Sequence, residues 1–297
     1  MAASIAPTIA VCVVGSANLD IVATTERLPA PGETVLGDTF AEHAGGKGLN
    51  QAVAAARAGA ATSFCAAVGN DDAARQLLAI MAADGIDATA VRVVETVPTG
   101  RALIGVSASA ENSIIVVAGA NAELAPDDVV ASAAKASVVL AQLEVPVATV
   151  QAAFAAARAA GATTILNPAP AQQLSAELIA LCDVIIPNEH EVEILGGVDA
   201  LFALGAKAVV VTLGSRGAEL CTPDGIRTMV PAFAVTPVDT TAAGDAFCGS
   251  FAAAISNGTS LIEALRFAAA GAGLTTTRSG AVPSIPHRAE IEALLSR

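Results

Sequence analysis

Val138-Val139-Leu140-Ala141-Gln142-Leu143-Glu144, then Val145-Pro146, then the Ala-rich run Val147–Ala160, then Thr163-Thr164-Ile165-Leu166-Asn167, is the stretch that decides the fold. Val138–Leu143 and Thr163–Leu166 are β-rich, and the segment between them keeps the apolar spacing of a helix. A strand, a helix and a second strand joined in this way lie with the two strands side by side and parallel. The same alternation extends outward. Ile9–Val14 and Thr62–Ala66 precede the stretch, with helical patterns at Leu49–Ala58 and Asp72–Ala83; Val184–Ile186, Ala208–Thr212 and the helical Asp245–Ser256 follow it. This predicts an α/β protein of three layers, α/β/α, with a mostly parallel central sheet. Two regions break the pattern. Thr24–Ala44 and Thr99–Ala118 hold the strand-like pieces Glu33–Phe40, Ala102–Ala108 and Ser113–Val117 without helices between them, which predicts a small antiparallel sheet standing off the main one.

Composition narrows the class. Hydrophobic residues make up 54% of 297, enough to close one large core, and no internal repeat divides the chain. The opening MAASIAPTIA lacks a basic n-region, and no apolar run approaches about eighteen residues, so a soluble, cytoplasmic protein is expected. Cysteines 12, 65, 182, 221 and 248 share no metal-ligand spacing and are expected to be buried free thiols. A net charge of −13, with no basic run, would repel a phosphate backbone and argues against nucleic acid as a partner.

Polar residues cluster where strands end: Glu144, Asn167, Pro187-Asn188-Glu189 and Thr212-Leu213-Gly214-Ser215. In open α/β sheets the ligand crevice lies beyond the carboxyl ends of the strands. Gly45-Gly46-Lys47-Gly48-Leu49-Asn50 sets three glycines before a helix, where backbone N–H groups can approach a ligand and Lys47 and Asn50 can reach it. Ala41 and Gly48 exclude a Walker A loop, and the motif does not close a strand as a dinucleotide fingerprint would. Asp239-Thr240-Thr241-Ala242-Ala243-Gly244-Asp245 is more specific. It leads into a helix that ends at Asn257-Gly258, and its small residues leave the first-turn N–H groups uncovered, an anion site with Asp245 at its base. Asn18 and Asp20 past the first strand fit either a turn or a hydroxyl-binding pair. His43, His190 and His287 are scattered and suggest no triad.

In this order the segments resemble the ribokinase-like (PfkB) carbohydrate kinases, from Gly15-Ser16-Ala17-Asn18-Leu19-Asp20 and Pro31-Gly32-Glu33-Thr34 through Gln142-Leu143-Glu144, Asn167-Pro168-Ala169-Pro170, Pro187 to Glu191 and Thr212 to Gly217, to Asp239–Asp245 and Pro283-Ser284. The resemblance implies an ATP-dependent sugar kinase, and the Asn-Pro-Ala-Pro stretch points to D-ribose, phosphorylated at O5. Fructose, deoxyribose, 2-keto-3-deoxygluconate or a nucleoside are alternative acceptors, and a sugar-sensing protein without catalysis is a further one. With Trp and Tyr absent, a sugar would be held by hydrogen bonds. By resemblance Asp245 is the base, with the N–H groups of Ala243, Gly244 and Asp245 as anion hole. Asn18, Asp20, Gly46, Lys47, Gly48, Asn50 and Glu144 would hold the sugar. Asn188, Thr212, Leu213, Gly214, Ser215, Arg216, Gly217 and Ala269 would hold ATP, and Asn188 with Glu191 would organise Mg²⁺ through water. Asp239, Thr241, Thr275, Arg278, Gly280 and Ser284 would hold an activating K⁺. The resemblance also implies one kinase domain whose antiparallel segments, about 21–44 and 99–119, form a lid over the sugar and a homodimer contact. Leu49 stands where the family usually has Ala, narrowing the pocket, and Ser250 where Ala or Gly is usual.

Overall fold

The computed structural model describes residues 9–109 and 111–297; residues 1–8 of the opening segment and Ala110 in the second break lie outside them. The strands are β1 (Ile9–Val14), β2 (Asn18–Thr25), β3 (Thr39–Gly45), β4 (Thr62–Gly69), β5 (Val91–Val94), β6 (Gly100–Ser107), β7 (Asn112–Val117), β8 (Ala136–Ala141), β9 (Thr163–Leu166), β10 (Val184–Ile185), β11 (Ala208–Thr212), β12 (Ala218–Cys221) and β13 (Arg227–Val230). The helices are α1 (Lys47–Arg57), α2 (Asp72–Ala83), α3 (Pro126–Ala133), α4 (Val147–Ala159), α5 (Ala176–Ala180), α6 (Glu189–Ile194), α7 (Val198–Ala203), α8 (Ala243–Ser256), α9 (Leu261–Thr275) and α10 (Arg288–Leu295).

Nine strands form the main sheet in the order β13-β12-β11-β10-β9-β8-β1-β4-β5. Every ladder from β11 to β5 is parallel, and only the β11–β12 and β12–β13 ladders at one edge are antiparallel. Strand periodicity explains why the sequence is apolar at successive positions. In β1, Val11 and Val13 enter the core beneath α1, α2, α8 and α9, whereas Cys12 and Val14 enter the core beneath α3, α4 and α5. Phe64 and Phe251 anchor the first core and Phe154 the second; each such burial stabilises the fold by about 1.5–3 kcal/mol. All five cysteines are buried and free.

The sheet order creates the crevice. From β1 the chain builds β4 and β5 on one side and returns to build β8 and β9 on the other, so connections leave β1 and β8 in opposite directions. Ligand sites in doubly wound sheets sit at such a switch point, beyond the strand ends.

The small sheet has the order β3-β2-β6-β7. Its outer ladders are antiparallel and the central β2–β6 ladder is parallel. It reaches back to Asn18, so Asn18 and Asp20 belong to a strand rather than to a turn. The strand expected over Glu33–Phe40 starts only at Thr39. Residues 33–38 are irregular because Glu33 closes a turn: its N–H donates to Ala30 O and its carboxylate accepts from Ala30 N–H and from Arg27. At the outer edge, Ile114, Ile115, Val116 and Val117 of β7 are all exposed. No helix among the described residues is long and apolar enough to cross a membrane.

Candidate active site

Close packing brings the start of α1 to the end of β1. Gly46 has φ +86°, a backbone that L side chains rarely adopt, and a Cβ at Gly48 would lie 2.5 Å from Ser16 N. A Cβ at Gly45 would lie 2.0 Å from the Asp20 carboxylate, so Gly45 gives that side chain its place. Glu144, just past β8, accepts from the Ser16 hydroxyl at 2.5 Å and from Lys47 N–H at 3.1 Å, which ties three chain segments at the switch point. Asp20 has no hydrogen-bond donor to its carboxylate among the described residues. Burial, with the charges of Glu144 and Asp245 nearby, pushes it up to about 7.

The start of α8 faces this cluster. Ala242 is its N-cap in the left-handed region, φ +59°, and no other non-glycine residue among those described has positive φ. Holding a non-glycine residue there costs about 1–3 kcal/mol, a strain that recurs at ligand sites. Ala243 N–H donates to Thr240 O at 3.2 Å, whereas the N–H groups of Gly244 and Asp245 have no partner among the described residues. Of the three donors expected in the anion hole, two are therefore free. Asp245 is 8% exposed; its Oδ2 accepts from Asn50 Nδ2 at 2.9 Å and its Oδ1 from Gln51 Nε2 at 3.0 Å. Burial drives the Asp245 pKa upward, against Lys47, Asn50 and Gln51, which favour the carboxylate. Burial works against the Lys47 cation, but Asp245, Glu144 and Glu191 outweigh it and keep it charged.

A cavity of about 160 Å³ opens between these groups, lined by Lys47, Asn167, Asn188, Glu191, Thr212, Gly244 and Asp245 among others. Asn188 and Glu191 form a reciprocal cap on α6, each backbone N–H donating at 2.8 Å to the other's side chain. Burial raises the Glu191 pKa, opposed by the Asn188 N–H and by Lys47. Thr212 stands beside Asn188 in a β-bridge, and Leu213–Gly217 continue as a tight turn, with Arg216 paired to Glu189 on the surface. Ala269 is buried in the core packing of α9. Leu49 is likewise fully buried in the core. Ser250 packs where α8 meets Gly271 of α9. A second cavity, of about 440 Å³, lies beyond Asn18 and Glu144 toward Val116, Pro146 and Pro170.

Of the residues expected around a monovalent cation, Asp239, Thr241 and Gly280 are joined by hydrogen bonds. Asp239 accepts from the Thr241 N–H and hydroxyl with one oxygen and from Gly280 N–H with the other. Burial raises its pKa, but these donors outweigh it and hold the carboxyl below its ordinary value. Val238 and Asp239 N–H groups both donate to Thr276 O, which fixes the Asp239 segment against the end of α9. Thr275 and Ser284 are fully buried, their hydroxyls donating to Gly271 O and Ala281 O, and Arg278 turns outward to pair with Glu290. Among the described residues no cluster of three His, Cys, Asp or Glu side chains could form an all-protein metal cage.

Ser16 and Gln142 lie in the quoted segments but carry no role in the sequence reading, and Asn121 and above all Gln51 escape it altogether. Gln51 sits fully buried on α1, accepts from Gln142 Nε2 at 2.6 Å, and donates to both Asn167 and Asp245. A second amide next to Asn50, followed by the Ala and Val residues of a buried helix, was the available signal.

The chain matches the model of the pfkB family carbohydrate kinases over residues 8–288. It is 40% identical to a ribokinase of Haemophilus influenzae, over 94% of this chain and 95% of that one. It is 42% identical to a bifunctional ribokinase/ribose-5-phosphate isomerase A of Fructilactobacillus sanfranciscensis, over 96% of this chain, and spans 55% of that longer protein. The structure of an Arabidopsis thaliana ribokinase complexed with ribose and ATP superposes with TM-score 0.91 at 35% identity, covering 97% of this chain and 99% of that one. On fold, site and sequence together, the chain belongs to the pfkB family of carbohydrate kinases.

Proposed function

We propose that this kinase is a ribokinase, transferring the γ-phosphoryl group of ATP to O5 of D-ribose. One observation carries the reading: Asp245 stands at a helix start beside two N–H groups unpartnered among the described residues, with open space where a Gly244 side chain would be. Asp245 takes the proton of the primary hydroxyl as its oxygen bonds to phosphorus, and the Gly244 and Asp245 N–H groups meet the charge of the moving phosphoryl group. Asn18, Asp20, Gly46, Lys47, Gly48, Asn50 and Glu144 hold the sugar; Asn50 Oδ1 is buried without a partner among the described residues, as a group awaiting a hydroxyl would be. Asn188 and Thr212–Gly217 hold the nucleotide.

Lone carboxylates without a cage suit Mg²⁺, which keeps most of its water and binds phosphate. Glu191 would orient that water, and the ion would neutralise phosphate charge. Asp239 with the carbonyls of Thr241, Thr275, Arg278 and Gly280, and Ser284, offers the hard oxygen set of a K⁺ site that would shape the neighbouring anion hole. The small sheet, built on segments 18–45 and 100–117, acts as a lid over the sugar. Its apolar edge strand β7 is a surface that a second copy of the chain would cover in a homodimer. Five buried free thiols support a reducing, cytoplasmic setting. ADP production against D-ribose, 2-deoxy-D-ribose, fructose, 2-keto-3-deoxygluconate and nucleosides, with and without K⁺, tests the reading. Higher kcat/KM for any other acceptor refutes ribose, and no turnover with any acceptor refutes the kinase.

A further inference from the structure

Asn121 lies in the turn that follows the lid strand β7, is 1% exposed, and is joined to the sugar-site residue Asn18. Its Oδ1 accepts from Ala17 N–H at 2.9 Å. A backbone N–H can only donate, so this bond fixes which way the Asn121 amide faces. Its Nδ2 is then forced to the other side, where it donates to Asn18 Oδ1 at 2.7 Å and to Ala17 O at 3.3 Å. That contact in turn fixes Asn18: its oxygen is used, and its Nδ2, without a partner among the described residues, is the group left for the cavity that Asn18, Asn121 and Glu144 line. Gly100 makes room for the pair, because a Cβ there would lie 2.2 Å from Asn121 Nδ2 and 2.3 Å from Asn18 Oδ1.

We propose that Asn121 is a positioning residue that sets the polarity of the sugar site, holding Asn18 as a hydrogen-bond donor to a sugar oxygen. The point matters because Asp20 and Glu144 offer only acceptors as carboxylates. A hydroxyl that donates to one of them still has lone pairs to satisfy, and a fixed amide N–H₂ meets that need where a freely flipping amide would present oxygen to oxygen half of the time. The pair also joins β2 to the segment after β7, so the donor is fixed at a place where the lid meets the main domain.

The inference rests on the reading that Asn18 binds the sugar, and a double-mutant cycle separates the two. Asn121→Asp keeps the acceptor for Ala17 N–H but removes the donor, so Asn18 flips to donate to it and turns oxygen toward the sugar. The dissociation constant of D-ribose without nucleotide, by titration calorimetry, is expected to rise about tenfold or more in Asn121→Asp. The rise in Asn18→Ala should be comparable, and in the double variant no greater than in Asn18→Ala alone. KM for ATP should stay within about twofold in Asn121→Asp. Multiplying effects in the double variant, or unchanged ribose binding in Asn121→Asp while Asn18→Ala weakens it, overturns the positioning role alone. Unchanged ribose binding in Asn18→Ala overturns the site assignment and the inference with it. Should Asn121→Asp fail to fold, Asn121→Ala runs the same cycle, with ribose binding weakened severalfold only while Asn18 is present as the expected result and an equal loss in its absence as the contrary one.

Discussion

Two helix starts carry the glycines of this site, and they use them differently. At α1 the fold itself demands them: Gly46 has a positive φ, and side chains at Gly45 or Gly48 would collide with Asp20 or with the Ser16 backbone. At α8 nothing among the described residues demands Gly244. Its φ is ordinary, a Cβ there would meet no atom within 4 Å, and the one strained backbone nearby belongs to Ala242 instead. A glycine required by packing says how a site is assembled, whereas a glycine required by nothing present says where something else goes. The two starts meet through Asn50 and Gln51 of α1, which grip Asp245 of α8.

The largest break in that arrangement is Asp245→Asn, which should leave melting behaviour near wild type and lower kcat by roughly 10²–10⁴, since the amide fits the helix start but takes no proton. More than half of wild-type kcat would remove Asp245 as the base. The next pair tests the comparison directly. Gly244→Ala should fold at least as well as wild type, because a helical glycine is replaced in open space, yet lose roughly 10–10³ in kcat as the methyl enters the phosphoryl position. Gly48→Ala should do the reverse to the fold, losing roughly 1–3 kcal/mol of stability in a denaturant titration through overpacking. A destabilised but active Gly244→Ala would erase the distinction.

That distinction also marks how far the sequence could be read. The β8-α4-β9 stretch fixed the parallel sheet because an alternation of two periods has few other solutions, and α2 matches its expected span at both ends. The motif residues were legible because charge and glycine stand out against an Ala-rich chain. Gln51 and Asn121 were not, since their roles come from partners distant along the chain, Asp245 for one and Ala17 with Asn18 for the other. Asn18–Thr25 was missed as a strand because its pairing to Thr39–Gly45 and Gly100–Ser107 is long-range, and Asn-Leu-Asp looks like the start of a loop.

Gln51→Leu sharpens the link between the two starts. Asp245 loses one of two donors that favour its carboxylate, so burial lifts its pKa further and the acid limb of the kcat–pH profile moves to higher pH. Lys47, Asn50, Glu144 and Glu191 remain around it, which keeps the loss in kcat at neutral pH to roughly tenfold. Gln142 Nε2 is left buried without its acceptor, and about 1–3 kcal/mol of stability goes with it. An acid limb in the same place as wild type would show that Gln51 serves packing alone.

The smallest effect expected concerns Asp20, the carboxylate that the end of β3 accommodates through Gly45 but that no side chain or N–H grips among the described residues. Asp245 is held by two amides; Asp20 has no donor among the described residues, and burial with the Glu144 and Asp245 charges raises it to about 7. The raised value means that the free protein keeps this proton until the pH passes about 7, and a protonated carboxyl offers the sugar fewer acceptors. Lowering pH from about 8 to about 6 should therefore reduce kcat/KM for D-ribose severalfold, up to about tenfold, through KM. Bound sugar hydroxyls supply the missing donors and lower the pKa in the complex, so kcat should respond less over the same range. Asp20→Asn should have a higher KM throughout and lose this dependence, leaving only the limb that belongs to Asp245. A KM for ribose that stays flat across that interval in wild type would place the Asp20 pKa well away from neutrality and would mean that Asp20, like Asp245, has a donor.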